Sequence, residues 1–296
     1  RLDLALAEVL RAEQSGALDT ESTLTLALIE NNAGAFADAC RHAQAIEQKS
    51  DLPPDARASG ATVAGLAFEN LNQYPEAIEH FRHAIELAPS REDPYLYLAR
   101  VHQKKHELQA VVAALEQGRK QIPGSLKIEM TLGAGLVSVE RYKEAIQLLT
   151  DVIGKSPDDV DAYPNLAEAY RNTGEPKLAT ETLRKLARRK PDYPMLHIFI
   201  ARSMTQEDPA DSAGALAELL LAEKAAPDDY EVFYLRGKVY LSLNKFPEAI
   251  TSLLHAIELR PTESSAHYQL AMAYSKSGQP ALAAKQFETV KYLEAQ

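Results

Sequence analysis

FPEAITSLLHAIELRP (Phe246–Pro261) and YPEAIEHFRHAIELAP (Tyr74–Pro89) share one frame: an aromatic, Pro-Glu-Ala-Ile, a middle stretch, then Ala-Ile-Glu-Leu and a closing Pro. A proline at the second position can open a helix, because its missing N–H falls on an amide that has no helical partner anyway. The closing proline stops it. Closing prolines recur at Pro89, Pro123, Pro157, Pro191, Pro227 and Pro261, 34 residues apart except for one interval of 36. Ser90, Ser125, Asp158, Asp192, Asp228 and Thr262 lie close behind, short polar side chains suited to capping the next helix.

A period of this length signals a stacked repeat. With repeats counted from Thr20, Ala58, Glu92, Leu126, Val160, Pro194, Tyr230 and Ser264, the eighth slot holds Ala27, Gly65, Ala99, Gly133, Ala167, Ala201, Gly237 and Ala271. A second small slot holds Ala39, Ala77, Val111, Ala145, Ala179, Ala215, Ala249 and Ala283. Two antiparallel helices approach closest where both present small side chains, and a bulky residue there overpacks the contact. Four residues on stands a large knob: Phe81, Leu115, Leu149, Leu183, Leu219, Leu253 and Phe287. Apolar residues at spacings of three and four mark amphipathic helices, and strand patterning is missing. The reading is all-α: about eight antiparallel helix-turn-helix hairpins.

This pattern resembles the tetratricopeptide repeat, and the resemblance covers nearly the whole chain. It implies a right-handed superhelical solenoid. The 35-residue pentatricopeptide repeat, which reads RNA, fits less well, since its members are typically basic. The expected division is a lone second helix of an incomplete hairpin over 1–19, a degenerate repeat over 20–57, and seven repeats over 58–91, 92–125, 126–159, 160–193, 194–229, 230–263 and 264–296. The first repeat carries Thr23 and Glu30 where large side chains are usual, so it is expected to be the loosest. Leu2 to Ala12 follows the second-helix pattern, with Ala5, Val9 and Ala12 in its slots, and the chain opens on Arg1. At the far end no polar capping helix follows the last repeat, although solenoids usually need polar ends. These features predict an array cut from a larger protein, with ends open to self-association.

The chain has 296 residues and a formal net charge of −10, and 46% of its residues are hydrophobic. An acidic surface is a poor match for nucleic acid or anionic membrane. The apolar content is too high for disorder. The run near Leu219 to Leu221 is interrupted by Glu218 and Glu223, well short of the ~20 apolar residues of a membrane span. Cys40 is the single cysteine, so neither an internal disulfide nor a cysteine metal cluster is available. The compartment stays open between cytoplasm and periplasm.

Catalytic and cofactor chemistry find little support. Gly154-Lys155-Ser156 imitates the end of a phosphate-binding loop, but Leu149 stands where that loop needs glycine. His80 with His83, and His102 with His106, have helical spacing for a metal pair but lack further ligands. His102 fits a core slot, and His197 and His267 take the slot of Tyr95, Tyr163 and Phe233, so packing accounts for them. Arg236 stands where Leu or Ile is usual, so it is expected either to snorkel to water or to pair with a nearby carboxylate. The sequence therefore predicts no enzyme, no cofactor and no metal.

In the family, first helices line the concave wall, with slots 5, 9, 12 and 13 facing the groove. The resemblance thus implies a peptide-binding groove containing Arg100, Lys104, Met130, Arg171, Ile198, Arg202, Tyr234, Lys238, Tyr268, Met272 and Lys276, against which only Glu69 and Glu168 stand as acids. Arg binds carboxylates bidentately, while Met and Tyr give adaptable apolar contact. The expected partner is a protein segment with acidic and apolar side chains, extended or helical. The clamp that co-chaperones use for a C-terminal carboxylate is not matched, since Thr62 and Leu66, or Leu96 and Arg100, occupy its positions. The asparagine ladder of glycosyltransferase arms is reduced to Asn165.

Overall fold

The computed structural model describes residues 19–193, 195–207 and 211–295. The lone second helix expected over 1–19 lies outside them, save Asp19. The described residues form sixteen α-helices and no strand. They fall into two compact units that divide at Leu148/Leu149.

The N-terminal unit contains α1 (Thr20–Ala33), α2 (Phe36–Glu47), α3 (Pro54–Asn70), α4 (Tyr74–Leu87), α5 (Asp93–Lys104), α6 (Leu108–Gln121) and α7 (Leu126–Ser138). The division falls inside α8 (Tyr142–Lys155). The C-terminal unit contains α9 (Ala162–Asn172), α10 (Pro176–Arg189), α11 (Leu196–Met204), α12 (Ser212–Ala225), α13 (Tyr230–Ser242), α14 (Phe246–Leu259), α15 (Ser264–Lys276) and α16 (Pro280–Glu294). Within each unit consecutive helices pack on one another. Alternate helices also touch: α1, α3, α5 and α7 in the first unit, and α9, α11, α13 and α15 in the second. Each unit is therefore a helical-repeat array.

The prolines act as expected. Helices α4, α6, α8, α10, α12 and α14 each end two residues before one. Pro54, Pro75, Pro176, Pro247 and Pro280 stand in the first turns of α3, α4, α10, α14 and α16. Polar capping is less regular. Ser125 Oγ accepts from Ile128 N at 3.1 Å and Asp229 Oδ1 from Glu231 N at 2.8 Å. Asp161 makes no such bond, because its backbone is helical (ψ −16°) rather than extended as a cap requires. It accepts from the Tyr193 hydroxyl instead, at 3.2 Å.

The fourth slot has a structural task. Tyr95 Oη donates to Pro89 O at 3.0 Å, Tyr163 Oη to Pro157 O at 2.8 Å, and His267 Nε2 lies 2.9 Å from Pro261 O. The residue ties a first helix back to the carbonyl of the proline that ended the previous one. Tyrosine and histidine can both reach that carbonyl; His197, at the same slot, contacts Glu218 Oε2 instead, at 2.7 Å.

The small slots meet the knobs as expected. A Cβ on Gly65 would lie 2.6 Å from the Phe81 ring, and one on Gly237 2.5 Å from Leu253 Cγ. Among the described residues the turn inside a hairpin takes a left-handed residue at one repeated position. Gly34, Asn72, His106, Glu140, Gly174, Asn244 and Gly278 occupy it, with φ between 57° and 86°. At Glu140 the turn closes with Arg141 N donating to Leu136 O at 2.9 Å. Left-handed backbone costs a residue with a Cβ about 1–2 kcal/mol. Glu140→Gly is therefore expected to stabilise the N-terminal unit by about 1 kcal/mol. A thermal melt checks it, and a midpoint that stays put or falls refutes it.

Glu30, expected to loosen the first repeat, is buried and contacts His42 Nδ1 at 2.7 Å. Cys40 is buried, and burial pushes its thiol up to about 11, which leaves it unreactive near neutral pH.

Candidate interaction surface

Groove candidates in the N-terminal unit converge on one carboxylate. Glu69, in the last turn of α3, has a side chain only 2% exposed. Arg100 on α5 reaches it with two parallel bonds, Nε to Oε1 at 2.8 Å and Nη2 to Oε2 at 2.5 Å. Lys104, one turn on, adds Nζ to Oε1 at 2.8 Å. Burial alone would raise the Glu69 pKa; the bonds and charges of Arg100 and Lys104 outweigh it and hold the carboxyl below the usual range. These two cations thus have a resident partner. Met130 lies half-buried on α7.

The histidines of this unit are also engaged. His80 Nδ1 and His83 Nδ1 converge on the buried carboxylate of Glu47 at 2.7 and 2.5 Å. Their bonds overcome the effect of burial and lower the Glu47 pKa. His80 Nε2 meets the Gln44 amide at 3.2 Å, and its ring stacks on Phe68. His102 Nδ1 lies 2.7 Å from Glu107 Oε2, while His106 fills the left-handed turn position.

The C-terminal unit gathers its cations on the alternate helices α9, α11 and α13. Arg171 Nη1 donates to Glu168 Oε2 at 2.6 Å, and its Nε to Gln206 Oε1 at 3.1 Å. Arg202 on α11 pairs with Glu231 on α13 through two bonds, one of them Nε to Oε1 at 2.6 Å. The Arg171 side chain is 13% exposed and that of Arg202 28%. Burial and the nearby Arg202 charge both disfavour the Arg171 cation. Lys238 is half-buried over the Tyr234 ring, 5.7 Å from its centroid. No carboxylate among the described residues pairs with it. Burial and Arg171 push its pKa down.

Two clefts flank these cations. One of about 260 Å³ holds Arg171 and Arg202 beside Phe199 and Pro164. The other, of about 180 Å³, holds Lys238 beside Thr205, Glu207 and Ser242. On α15, Tyr268 is 46% exposed with its ring edge against Phe287, Met272 is half-buried, and Lys276 is exposed at the last turn. Ile198 departs from expectation. It is 2% exposed and packs in the core cluster with Tyr163, Leu183 and Phe233, so it presents nothing to a ligand. An aliphatic side chain gains more from that burial than from exposure. Of its two expected arrangements Arg236 takes the ion pair: Nη1 donates to Glu223 Oε2 at 2.6 Å, and the guanidinium lies over the Phe233 ring.

Sequence reasoning missed Glu231 as the Arg202 partner and read Glu69 as a minor exception to a basic surface. A signal for Glu69 was available: the acid lies 31 residues before the arginine, where adjacent first helices meet. Among the described residues no helix is long and apolar enough to cross a membrane.

Known proteins agree with this architecture. Family models described as tetratricopeptide repeat match residues 136–202, and 61–91 with 264–296; one described as TPR repeat matches 237–278. The BBSome complex member BBS4 homolog of Drosophila melanogaster is 24% identical over 270 residues, which cover 86% of this chain and 54% of that protein. The human Protein O-mannosyl-transferase TMTC3 is 23% identical over 169 residues, covering 52% of this chain and 18% of that protein. The chain thus spans about half, or less, of the curated relatives it matches. Among solved structures, a tetratricopeptide repeat protein from Parabacteroides merdae superposes with a TM-score of 0.62 at 14% identity, covering 86% of this chain and 98% of that one. MamA from Desulfovibrio magneticus RS-1 gives 0.51 at 21% identity, covering 58% and 96%. These two likenesses concern the fold. The family models, together with the 34-residue period and the paired small slots, show that the chain belongs to the tetratricopeptide repeat family.

Proposed function

We propose that this protein is a non-catalytic interaction scaffold that holds an acidic and apolar segment of a protein partner against the first helices of its C-terminal unit. The observation that carries this reading is the composition of that surface. Arg171, Arg202 and Lys238 stand beside Phe199, Tyr234, Tyr268 and Met272 on helices that succeed one another through the repeats. Cations interleaved with large adaptable apolar groups suit a peptide of opposite charge. Repeat arrays commonly use such extended surfaces for binding.

Selection of random displayed peptides on the full chain tests it. Enriched peptides are expected to combine Asp or Glu with Leu, Ile or Phe, and to slow hydrogen exchange in α11, α13 and α15. Reversing charge at Arg171 and Arg202 together should weaken them. Failure to enrich any peptide, or protection confined to α10, α12, α14 and α16, overturns the reading.

A second reading has its own support: the chain is the repeat arm of a larger enzyme or assembly. The relatives it matches include an O-mannosyl-transferase and a BBSome member, of which it spans 18% and 54%. The complete open reading frame checks this. An adjoining catalytic or assembly domain supports it, and a reading frame with none removes it.

A further inference from the structure

We propose that the cleft between α9 and α11 takes one aromatic side chain of the partner segment, stacked on the guanidinium faces of Arg171 and Arg202; this deepens the scaffold reading and rests on it. Repeat register shows how the cleft arises. Tyr97 and Arg100 on α5 stand at the slots of Phe199 and Arg202 on α11. In each pair the guanidinium lies over the ring, 4.7 and 5.6 Å from its centroid. Glu69 and Arg171 share the twelfth slot of the repeat before. In the N-terminal unit Arg100 closes on Glu69 with two bonds. Arg171 offers Arg202 no such partner. Arg202 pairs with Glu231 instead, and Arg171 with Glu168 and Gln206. Both arginines line one cleft of about 260 Å³.

Apolar groups make up much of its wall: Ala167 and Leu183, both buried, with the half-buried Pro164 and Phe199. Its charge is already balanced. Glu168 answers Arg171 and Glu231 answers Arg202, so a further carboxylate would find no unpaired cation here and would meet Glu168 in the same cleft. The resident partners bond to the edges of the two guanidinium planes. Bonds at the edge leave the faces for stacking, and a guanidinium face attracts an aromatic ring. An aliphatic side chain would gain burial alone. At about 260 Å³ the cleft falls below the roughly 300–1,000 Å³ of pockets for free small molecules, and it suits one large side chain.

Isothermal titration calorimetry and fluorescence on the full chain test the pocket. The probes are short amidated peptides of Glu, Leu and Ser that differ at one central residue: Trp, Leu or Glu. The chain has no tryptophan, so the Trp peptide reports its own burial. It is expected to bind about tenfold more tightly than the Leu peptide, with its emission shifted to the blue and hydrogen exchange slowed in α9 and α11. Arg171→Lys together with Arg202→Lys keeps both charges but removes the planar faces. This variant should weaken the Trp peptide to the level of the Leu peptide and leave the Leu peptide unchanged. Asn165 also lines the cleft, and Asn165→Phe supplies a ring from the chain itself. It should weaken the Trp peptide about tenfold, and it decides the matter if the lysine variant fails to fold. Trp and Leu peptides of equal affinity, a Glu peptide tighter than both, an unshifted emission, or a Trp preference that survives either folded variant overturns the pocket. If displayed peptides are enriched on α11, α13 and α15 while the Trp preference is missing, the pocket falls and the scaffold reading stands. If no peptide is enriched and no probe binds, both fall.

Discussion

Replacing Arg100 and Lys104 together with alanine is expected to destabilise the N-terminal unit by about 3–5 kcal/mol, the usual cost of stranding one partner of a buried ion pair. The asymmetry of burial sets the size. Each cation is 44% exposed on its side chain, so water already solvates much of its charge; Glu69 is 2% exposed and has no such recourse. Removing the acid should therefore matter less than removing the bases, and Glu69→Gln should cost only about 1 kcal/mol, the worth of ordinary hydrogen bonds. Replacing Glu69 by Met in the doubly substituted background should restore most of the loss, because a buried ion cluster and a packed apolar group are often close in energy.

The pH dependence gives an independent check. Glu69 has its pKa lowered from 4.5 in the folded state, so it contributes stability above that value and loses it as pH falls through the folded pKa. Without Arg100 and Lys104, burial dominates and the sign reverses: the carboxyl prefers its proton, and the variant becomes less handicapped in acid. The gap between the two proteins should begin to narrow above pH 4.5, as the variant's carboxyl takes its proton, and narrow further below it, as the parent's Glu69 loses its ion pairs. Repeat arrays need not unfold in two states, so the measurement is hydrogen exchange resolved to α3 and α5 across a urea series. A loss under about 1 kcal/mol would show that solvent reaches Glu69 and that the cluster is ornamental.

The same pairs show what a sequence makes legible. The small slots, the knobs and the closing prolines could be read because each packing demand recurs every repeat. Eight occurrences of Gly or Ala at one slot leave little freedom of interpretation. The tyrosine and histidine at the fourth slot were legible as packed residues, but their hydrogen bond to the proline carbonyl was not, since nothing in composition reports a donor's aim. Ion pairs between repeats were harder still. Arg100 and Arg202 look alike in sequence, yet one closes on Glu69 and the other on Glu231. Surface slots carry no shared packing requirement, so each repeat solves its charge balance with its own neighbours. Ile198 shows the converse error. A slot assigned to the groove by analogy was taken into the core, where α11 begins late, after a left-handed Met195.

Gly60→Val is the other substitution with a large expected effect, and its mechanism is independent of charge. Gly60 lies in the second turn of α3, pressed on α2. A Cβ there would meet Ala43 O and Glu47 N, each at 2.8 Å, and Ile46 Cβ at 3.1 Å. The first two are backbone atoms, which cannot rotate aside as a side chain can. The helices must separate, and separation also draws Glu47 from His80 and His83. Overpacking ordinarily costs about 1–3 kcal/mol. With backbone as the obstacle and a β-branched residue in the helix, the loss should reach or exceed about 3 kcal/mol. Gly60→Ala should fall between this and wild type. Gly154→Ala is the control: it also lies within a helix, but its Cβ would have nothing within 4 Å. There the gain in helix propensity should stabilise by about 0.5–1 kcal/mol. Thermal melts of the three variants, with hydrogen exchange in α2 and α3, test the account. Truncating Ile46 to alanine should not rescue Gly60→Val, because it removes a side chain and leaves the opposing backbone in place; substantial rescue would move the obstacle from backbone to side chain and defeat the argument.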